Sequence, residues 1–161
     1  MKVIHKSYKF KIAPDNEQKE LLAKHFGACR FVFNHYLNSR KETYLEEKKS
    51  LNYYDNANDL TILKKDEQFV WLKEINSQSL QSSLRNLDTA YNKFFRKQTK
   101  FPRFKSKFDK QSFTAPQSVY IENGKLQIPK FKKGIESDIK QKQVEALPLG
   151  ESMKPDTQIF E

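Results

Sequence analysis

The chain has 161 residues, with 30 Lys and Arg against 20 Asp and Glu, a formal net charge of +10. That length fits one domain or two tightly joined subdomains, and so basic a balance points to a polyanionic partner: nucleic acid, an acidic membrane or an acidic protein. Cys29 is the single cysteine, which excludes an internal disulfide and a Cys-based zinc cluster.

The apolar share of 37% is low, but 13 Phe and 7 Tyr compensate, because each aromatic buries a large area. The charge is uneven. Residues 136–161 hold three Lys and six acids, a net −3, so the first 135 residues carry +13. The opening MKVIHKSYKF lacks the apolar stretch of a secretory signal, and no apolar run approaches the roughly 18 residues of a spanning helix. The expectation is a soluble cytoplasmic protein with no membrane partner.

In chain order, Lys2 to Ile12 alternates, with Val3, His5, Ser7, Lys9 and Lys11 on one face and Ile4, Tyr8, Phe10 and Ile12 on the other. Only Lys6 is out of step, and the pattern predicts a half-buried strand that Pro14 ends. Asp15, with Gln18 three positions on, is placed to cap a helix, whose apolar face is Leu21, Leu22 and Phe26 and which Gly27 interrupts. A longer helix is predicted from Ala28 to Lys48, where Cys29, Val32, Phe33, Tyr36, Leu37, Arg40 and Tyr44 recur at helical spacing. Leu51 to Tyr54 reads as a connection, Asn56 to Lys65 as a third helix, and Trp71 and Leu72 as packing residues after a loop.

The clearest periodicity follows. Ser77 is placed as an N-cap, and Leu80, Leu84, Leu87, Tyr91, Phe94 and Phe95 form one stripe. The opposite face, Gln78, Gln81, Ser82, Arg85, Asn86, Thr89, Asn92, Lys93 and Arg96, is rich in amides and bases. Next comes the most basic stretch, in which Lys97, Lys100, Arg103, Lys105, Lys107 and Lys110 alternate with Phe101, Phe104 and Phe108. Short strands are predicted at Ser112–Ala115, Ser118–Glu122 and Lys125–Ile128, and the shared alternating pattern at the two ends of the helical insert predicts that Val3–Ile12 pairs with Lys125–Ile128. Asn123-Gly124 lies between the last two and is a strong hairpin signal, because both central positions favour positive φ.

No constellation suggests catalysis. His5, His25 and His35 do not fall at metal-ligand spacing with carboxylates, and the four glycines, at 27, 124, 134 and 150, form no phosphate loop. Asp15, Asp55, Asp59, Asp66, Asp88 and Asp109 do not read as the inward cluster that a two-metal nuclease needs. No catalytic residue, metal or cofactor is therefore expected. What remains is binding: Lys and Arg neutralise phosphates, and Phe and Tyr offer faces on which bases stack.

Five stretches, YKFKIAPDNEQKELL, ACRFVFNHYLNSR, SLQSSLRNLDTAYNKFF, FPRFKSK and NGKLQIPKF, together resemble the N-terminal region of the TnpB (OrfB) proteins of insertion sequences, which are RNA-guided DNA nucleases. The resemblance covers roughly residues 1–135. It implies an α+β fold, a small incomplete β-barrel "wedge" domain with an inserted helical bundle, divided as wedge strand 1–13, helical recognition domain 14–98, remainder of the wedge 99–135 and an acidic flexible tail 136–161. The family's N-terminal helices are catalogued as a helix-turn-helix, whereas here they read as part of the inserted bundle. The resemblance also implies DNA and guide RNA as partners, with Tyr53, Ser77, Gln81, Gln117 and Ser118 at positions that contact nucleic acid. To these the residues themselves add Arg85, Lys97, Lys100, Arg103, Lys105 and Lys107.

Past Ile135 a relative would continue with another wedge strand, a RuvC-like nuclease domain and a zinc ribbon. Here ESDIKQKQVEALPLGESMKPDTQIFE is acidic and nearly free of strand pattern, and reads as the product of truncation or as an appended tail. The expectation is a nucleic-acid-binding module that is not itself an enzyme. Two other readings stand beside it, a stand-alone DNA-binding regulator and an interaction module that complements a separate nuclease subunit.

Overall fold

Asp15 opens the first helix as its spacing predicts. Its carboxylate accepts from the Gln18 backbone N–H at 2.8 Å, and the Gln18 side chain accepts from the Asp15 N–H at 3.0 Å, a complete capping box. In the computed structural model, which describes residues 7–139 and 157–160, this helix, α1, runs unbroken over Asn16–Glu47. The predicted interruption at Gly27 does not occur. Leu22 and His25 before it and Ala28 and Cys29 after it are all buried, and that packing outweighs the roughly 1 kcal/mol helix penalty of one glycine.

The helix α2 spans Tyr53–Leu63, starting three residues before its predicted place. The cause is a second capping box, Asn52 with Asp55, which draws Tyr53 out of the supposed connection and into the first turn. A 3₁₀ turn at Val70–Glu74 buries Leu72 and leads into α3, Ser77–Phe95. Asn76, not Ser77, is the N-cap; its side chain accepts from the Gln78 N–H at 3.2 Å. Leu80, Leu84 and Leu87 are fully buried as their stripe predicts, whereas Ser82, assigned to the outer face, is buried, and Phe95, assigned to the stripe, is 67% exposed.

Small residues let α1 and α3 approach closely. The Ser83 hydroxyl donates to the Cys29 carbonyl at 2.6 Å, and the Cys29 thiol donates to the Ser79 carbonyl at 3.6 Å. Val32, Tyr36 and Leu37 of α1, the three leucines of α3, Leu60 of α2, Leu72 and Ile75 make the helical part of the core.

Six strands complete the described residues: β1 Ile12–Ala13, β2 Ser112–Ala115, β3 Tyr120–Glu122, β4 Lys125–Gln127, β5 Ile135–Ser137 and β6 Thr157–Phe160. One antiparallel sheet has the order β1-β5-β4-β3, and β2 pairs with β6 in a second. The fold is thus α+β, and among the described residues the two sheets do not close into a barrel. Asn123 and Gly124 take φ of 51° and 74°, the conformation the Asn-Gly signal requires.

Three expectations about the strands are corrected. The first strand is short: residues 7–11 are not in a strand, and Lys2 to Lys6 lie outside the described residues. Its neighbour is β5 rather than the Lys125–Ile128 strand, with Ile12 opposite Ser137 and Ala13 opposite Glu136. The pairing is extended by Asp138, whose side chain accepts from the Lys11 N–H at 3.0 Å and whose own N–H donates to the Lys11 carbonyl at 3.1 Å. Finally, residues 136–161 are not strand-free. They contribute part of β5 and all of β6, which buries Ile159 opposite Phe113 of β2.

Candidate nucleic-acid interface

The stretch from Lys97 to Lys110 leaves the end of α3 and runs back along one side of α1. Lys97 turns the chain with φ 58°. Phe101 then packs edge-on against Tyr91 and Phe94 of α3, with ring centroids 5.5 and 5.2 Å apart. The Lys41 ammonium sits over the Phe104 ring at 5.2 Å. Asn34 clasps the backbone of Lys105, donating to its carbonyl at 2.8 Å and accepting from its N–H at 2.7 Å. Gln111 accepts from Arg30 at 2.7 Å, and Phe113 of β2 meets Phe26 at 5.4 Å. The segment has no regular structure of its own, yet α1 fixes it and its continuation into β2 at four successive points, from Lys41, Asn34, Arg30 and Phe26.

Within it the basic side chains divide. Lys97, Lys100 and Arg103 are exposed, and the nearest acid to Arg103 is Asp109 at 4.0 Å, so with Lys93 and Arg96 they form a basic ridge at the end of α3. Lys105 turns inward: its ammonium lies 4.4 Å from the Phe33 ring centroid. Burial of that ammonium lowers its pKa, opposed by Cys29 and Asp109, although the residue as a whole is exposed. Lys107 caps Phe108 at 5.0 Å.

A second group gathers between α2 and α3. Ser77, Gln81 and Arg85 follow at four-residue steps along one side of α3. Ser77 meets Lys64 at the end of α2, Oγ to Nζ 3.4 Å, and the Arg85 guanidinium lies over the Tyr53 ring at the start of α2, 5.4 Å away. Tyr53, Ser77, Gln81 and Arg85 therefore border one seam, along which α2 and α3 run antiparallel. Gln81 is half-buried, its amide makes no hydrogen bond among the described residues, and no side-chain polar atom there is buried without a partner, so its amide faces solvent. Gln117 and Ser118 stand apart from both groups, exposed in the turn between β2 and β3 where Ser118 takes φ 58°.

Sequence reasoning missed the residues that hold these surfaces in place. Arg40 is 5% exposed. Its Nε donates to Asn56 of α2 at 2.7 Å, its Nη2 to Asp88 of α3 at 3.0 Å, and its guanidinium lies 5.0 Å from the Tyr91 ring. Tyr36 donates to Asp59 of α2 at 2.9 Å, and burial with that carboxylate raises its pKa. Burial pushes the Cys29 thiol up to about 12, so it stays protonated. The described residues contain no group of three or more His, Cys, Asp and Glu side chains placed to hold a metal, and none of their helices is long and apolar enough to cross a membrane.

His25 is fully buried. Its Nδ1 faces the Leu21 carbonyl at 2.9 Å and its Nε2 accepts from the Asn76 N–H at 3.3 Å, which makes it neutral with the proton on Nδ1 and ties α1 to the start of α3. Burial lowers its pKa below 6.5, the Leu21 hydrogen bond opposes this, and Lys130 adds to the lowering. The unfolded chain therefore binds this proton at a higher pH than the folded one. The stability His25 confers is complete above about pH 6.5 and falls as the pH drops toward the folded pKa, at up to about 1.4 kcal/mol per pH unit. Urea midpoints measured between about pH 7.5 and 5 are expected to show this slope in the parent protein and a flatter one in His25→Gln. An equal slope in both would remove His25 as the cause.

Comparison with known proteins places this sequence. A family model described as a helix-turn-helix domain, of the OrfB_IS605 type, matches residues 1–49. In the structure the described part of that span holds the single helix α1 and no turn between helices. InsQ of Escherichia coli K12, described as a putative RNA-guided DNA endonuclease, is 38% identical over 127 residues, covering 78% of this chain and 32% of InsQ. A protein of Streptomyces pristinaespiralis with the same description is 34% identical over 132 residues, covering 81% of this chain and 33% of the relative. The virulence protein VsdF of Salmonella dublin is 35% identical over 108 residues, which is 62% of this chain and 91% of VsdF. The chain belongs to the TnpB/OrfB family of insertion-sequence proteins. It spans about a third of the length of the two endonuclease relatives.

Proposed function

We propose that this chain is a nucleic-acid-binding module of the TnpB/OrfB type, in which the α2/α3 seam reads bases of a DNA duplex and the basic ridge after α3 holds its phosphates. The division into an incomplete wedge and an inserted recognition bundle, the holding of a guide RNA beside the DNA, and a role that is binding rather than cleavage belong to the same reading. The observation that carries it is the arrangement of Tyr53, Ser77, Gln81 and Arg85 along one seam, an aromatic, a hydroxyl, an amide and a guanidinium. Those groups discriminate base edges, while lysines and arginines fix register on the backbone. The two endonuclease relatives are described as RNA-guided and as acting on DNA, which supports both partners.

The test is a fluorescence titration of duplex DNA at several salt concentrations. Replacing Lys100 and Arg103 by alanine removes two phosphate contacts and is expected to lower the slope of log K against log salt by about 1.8 for duplex DNA, for all sequences alike. Gln81→Ala is expected to leave that slope unchanged and to erase about 1–3 kcal/mol of preference between duplexes. If the double variant keeps the parent slope, the ridge does not contact phosphate. If Gln81→Ala keeps the parent preference, the seam does not read bases.

A further inference from the structure

Four of the exposed aromatic rings that the ridge and the seam leave unused, Tyr44, Phe104, Phe108 and Phe160, follow, as a file, one side of α1 and the chain packed against it. Along α1 the residues Arg30, Asn34, Lys41 and Tyr44 succeed one another at three-, four- and seven-residue steps, so they share one side of the helix, and Lys48 follows as its left-handed C-cap. The segment clasped to that side adds Phe104 and Phe108, and β6 adds Phe160. Every ring in the file has a lysine over it: Lys48 on Tyr44 at 5.4 Å, Lys41 on Phe104 at 5.2 Å, Lys107 on Phe108 at 5.0 Å, and Lys110 with Lys9 on Phe160 at 4.8 and 5.3 Å. The rings nevertheless remain open, Tyr44 by 53%, Phe104 by 47%, Phe108 by 87% and Phe160 by 37%.

Single exposed apolar side chains need no explanation, but four exposed rings, each beside a lysine, form a repeated unit. Folding gains almost nothing from Phe108, and the exposed cation–π pairs contribute little each. The unit fits a strand whose bases are free to stack and whose phosphates lie within reach of the lysines. A duplex hides its base faces, so it cannot use the rings. From Arg30 to Glu47 the rise of α1 is about 25 Å, enough for several successive nucleotides. Asp109, which lies in the same segment, is held within the protein: its Oδ2 accepts from the Ser106 N–H at 2.8 Å and its Oδ1 lies 4.0 Å from Arg103. Glu46 and Glu47 close the file at the far end of α1.

We propose that this file, from Tyr44 and Lys41 through Phe104 and Phe108 to Phe160, binds single-stranded nucleic acid, on residues distinct from those proposed for the duplex. It rests on the nucleic-acid reading above but uses none of its base-reading residues. The test compares oligothymidine with a duplex in the full chain and in Phe104→Leu/Phe108→Leu, which keeps every charge. Phe108→Leu alone, at a residue in solvent, guards against misfolding. The double variant is expected to bind oligothymidine at least about 10-fold more weakly, since each stack is worth several-fold or more, with the salt slope and the duplex affinity unchanged. Equal loss for the duplex, or no loss for oligothymidine in either variant, overturns the inference. So does polyglutamate binding that matches oligothymidine and weakens alike in the variant, which would make the file a site for acidic peptide. A parent protein that binds duplex but no single strand also overturns it and leaves the duplex reading standing, whereas one that binds neither removes both.

Discussion

Replacing Arg40 by alanine is expected to lower the unfolding free energy by about 3 kcal/mol, the low end of the range for removing one partner of a buried ion pair. The low end applies because the Asp88 side chain is 31% exposed, so water recovers part of its solvation once the arginine is gone. Asn56 is 1% exposed, however, and it loses its 2.7 Å donor with no water to replace it. The ring of Tyr91 loses its guanidinium cover as well. Arg40→Lys is expected to recover little, because an ammonium cannot span Asn56 and Asp88 with the planar fork that arginine presents. Arg40→Met refills the volume and should fall between the two. Urea unfolding of the three variants checks the order, and a change of under about 1 kcal/mol in Arg40→Ala would mean that the junction of α1, α2 and α3 does not depend on this side chain.

The second large effect is expected at the other end of the molecule. Ile159 of β6 is 5% exposed and stands opposite Phe113 of β2. Ile159→Ala leaves a hole between the strand pair and the helices, at a cost of about 2–5 kcal/mol. For a chain of this size that lowers Tm by about 5–15 °C. Gln158→Ala, on the exposed face of the same strand, is expected to change Tm by no more than about 2 °C. Thermal unfolding of the two variants separates a strand that completes a sheet from an appended tail. Equal melting of parent and Ile159→Ala would return residues 157–160 to the latter role.

These two sites also show where sequence reading stops. Arg40 stands in the α1 stripe at the spacing of a core residue, and periodicity reports only that it faces inward, not what it meets there. Its partners come from residues 16 and 48 positions away. The TQIF segment that makes β6 is too short to alternate convincingly, and it becomes a strand only because β2 offers an unpaired edge. The same limit explains the neighbour of β1: two residues pair with β5, which the pattern at Lys125–Ile128 could not reveal. Local chemistry was legible where it is self-contained. The Asp15–Gln18 capping box, the leucines of α3, the bounds of β2 and the Asn-Gly turn each depend on residues within one turn or one strand. Gly27 misled because its penalty is small beside the packing on both sides of it. Asn52-x-x-Asp55 was a readable cap signal, and it would have placed Tyr53 on the seam from the start. For the interface, composition located the basic stretch, but only the fold separates the outward Lys100 and Arg103 from the inward Lys105.

The Asn34 amide grips both polar groups of one residue, Lys105, at 2.7 and 2.8 Å. A loop free to wander would have to surrender about 1–2 kcal/mol of backbone entropy for each residue that a ligand brings to rest. Here the chain between α3 and β2 is already a rail bolted to a helix, and the ordering is done when the protein folds rather than when a partner arrives. One uncharged side chain thereby governs how rigidly a whole row of cations is presented.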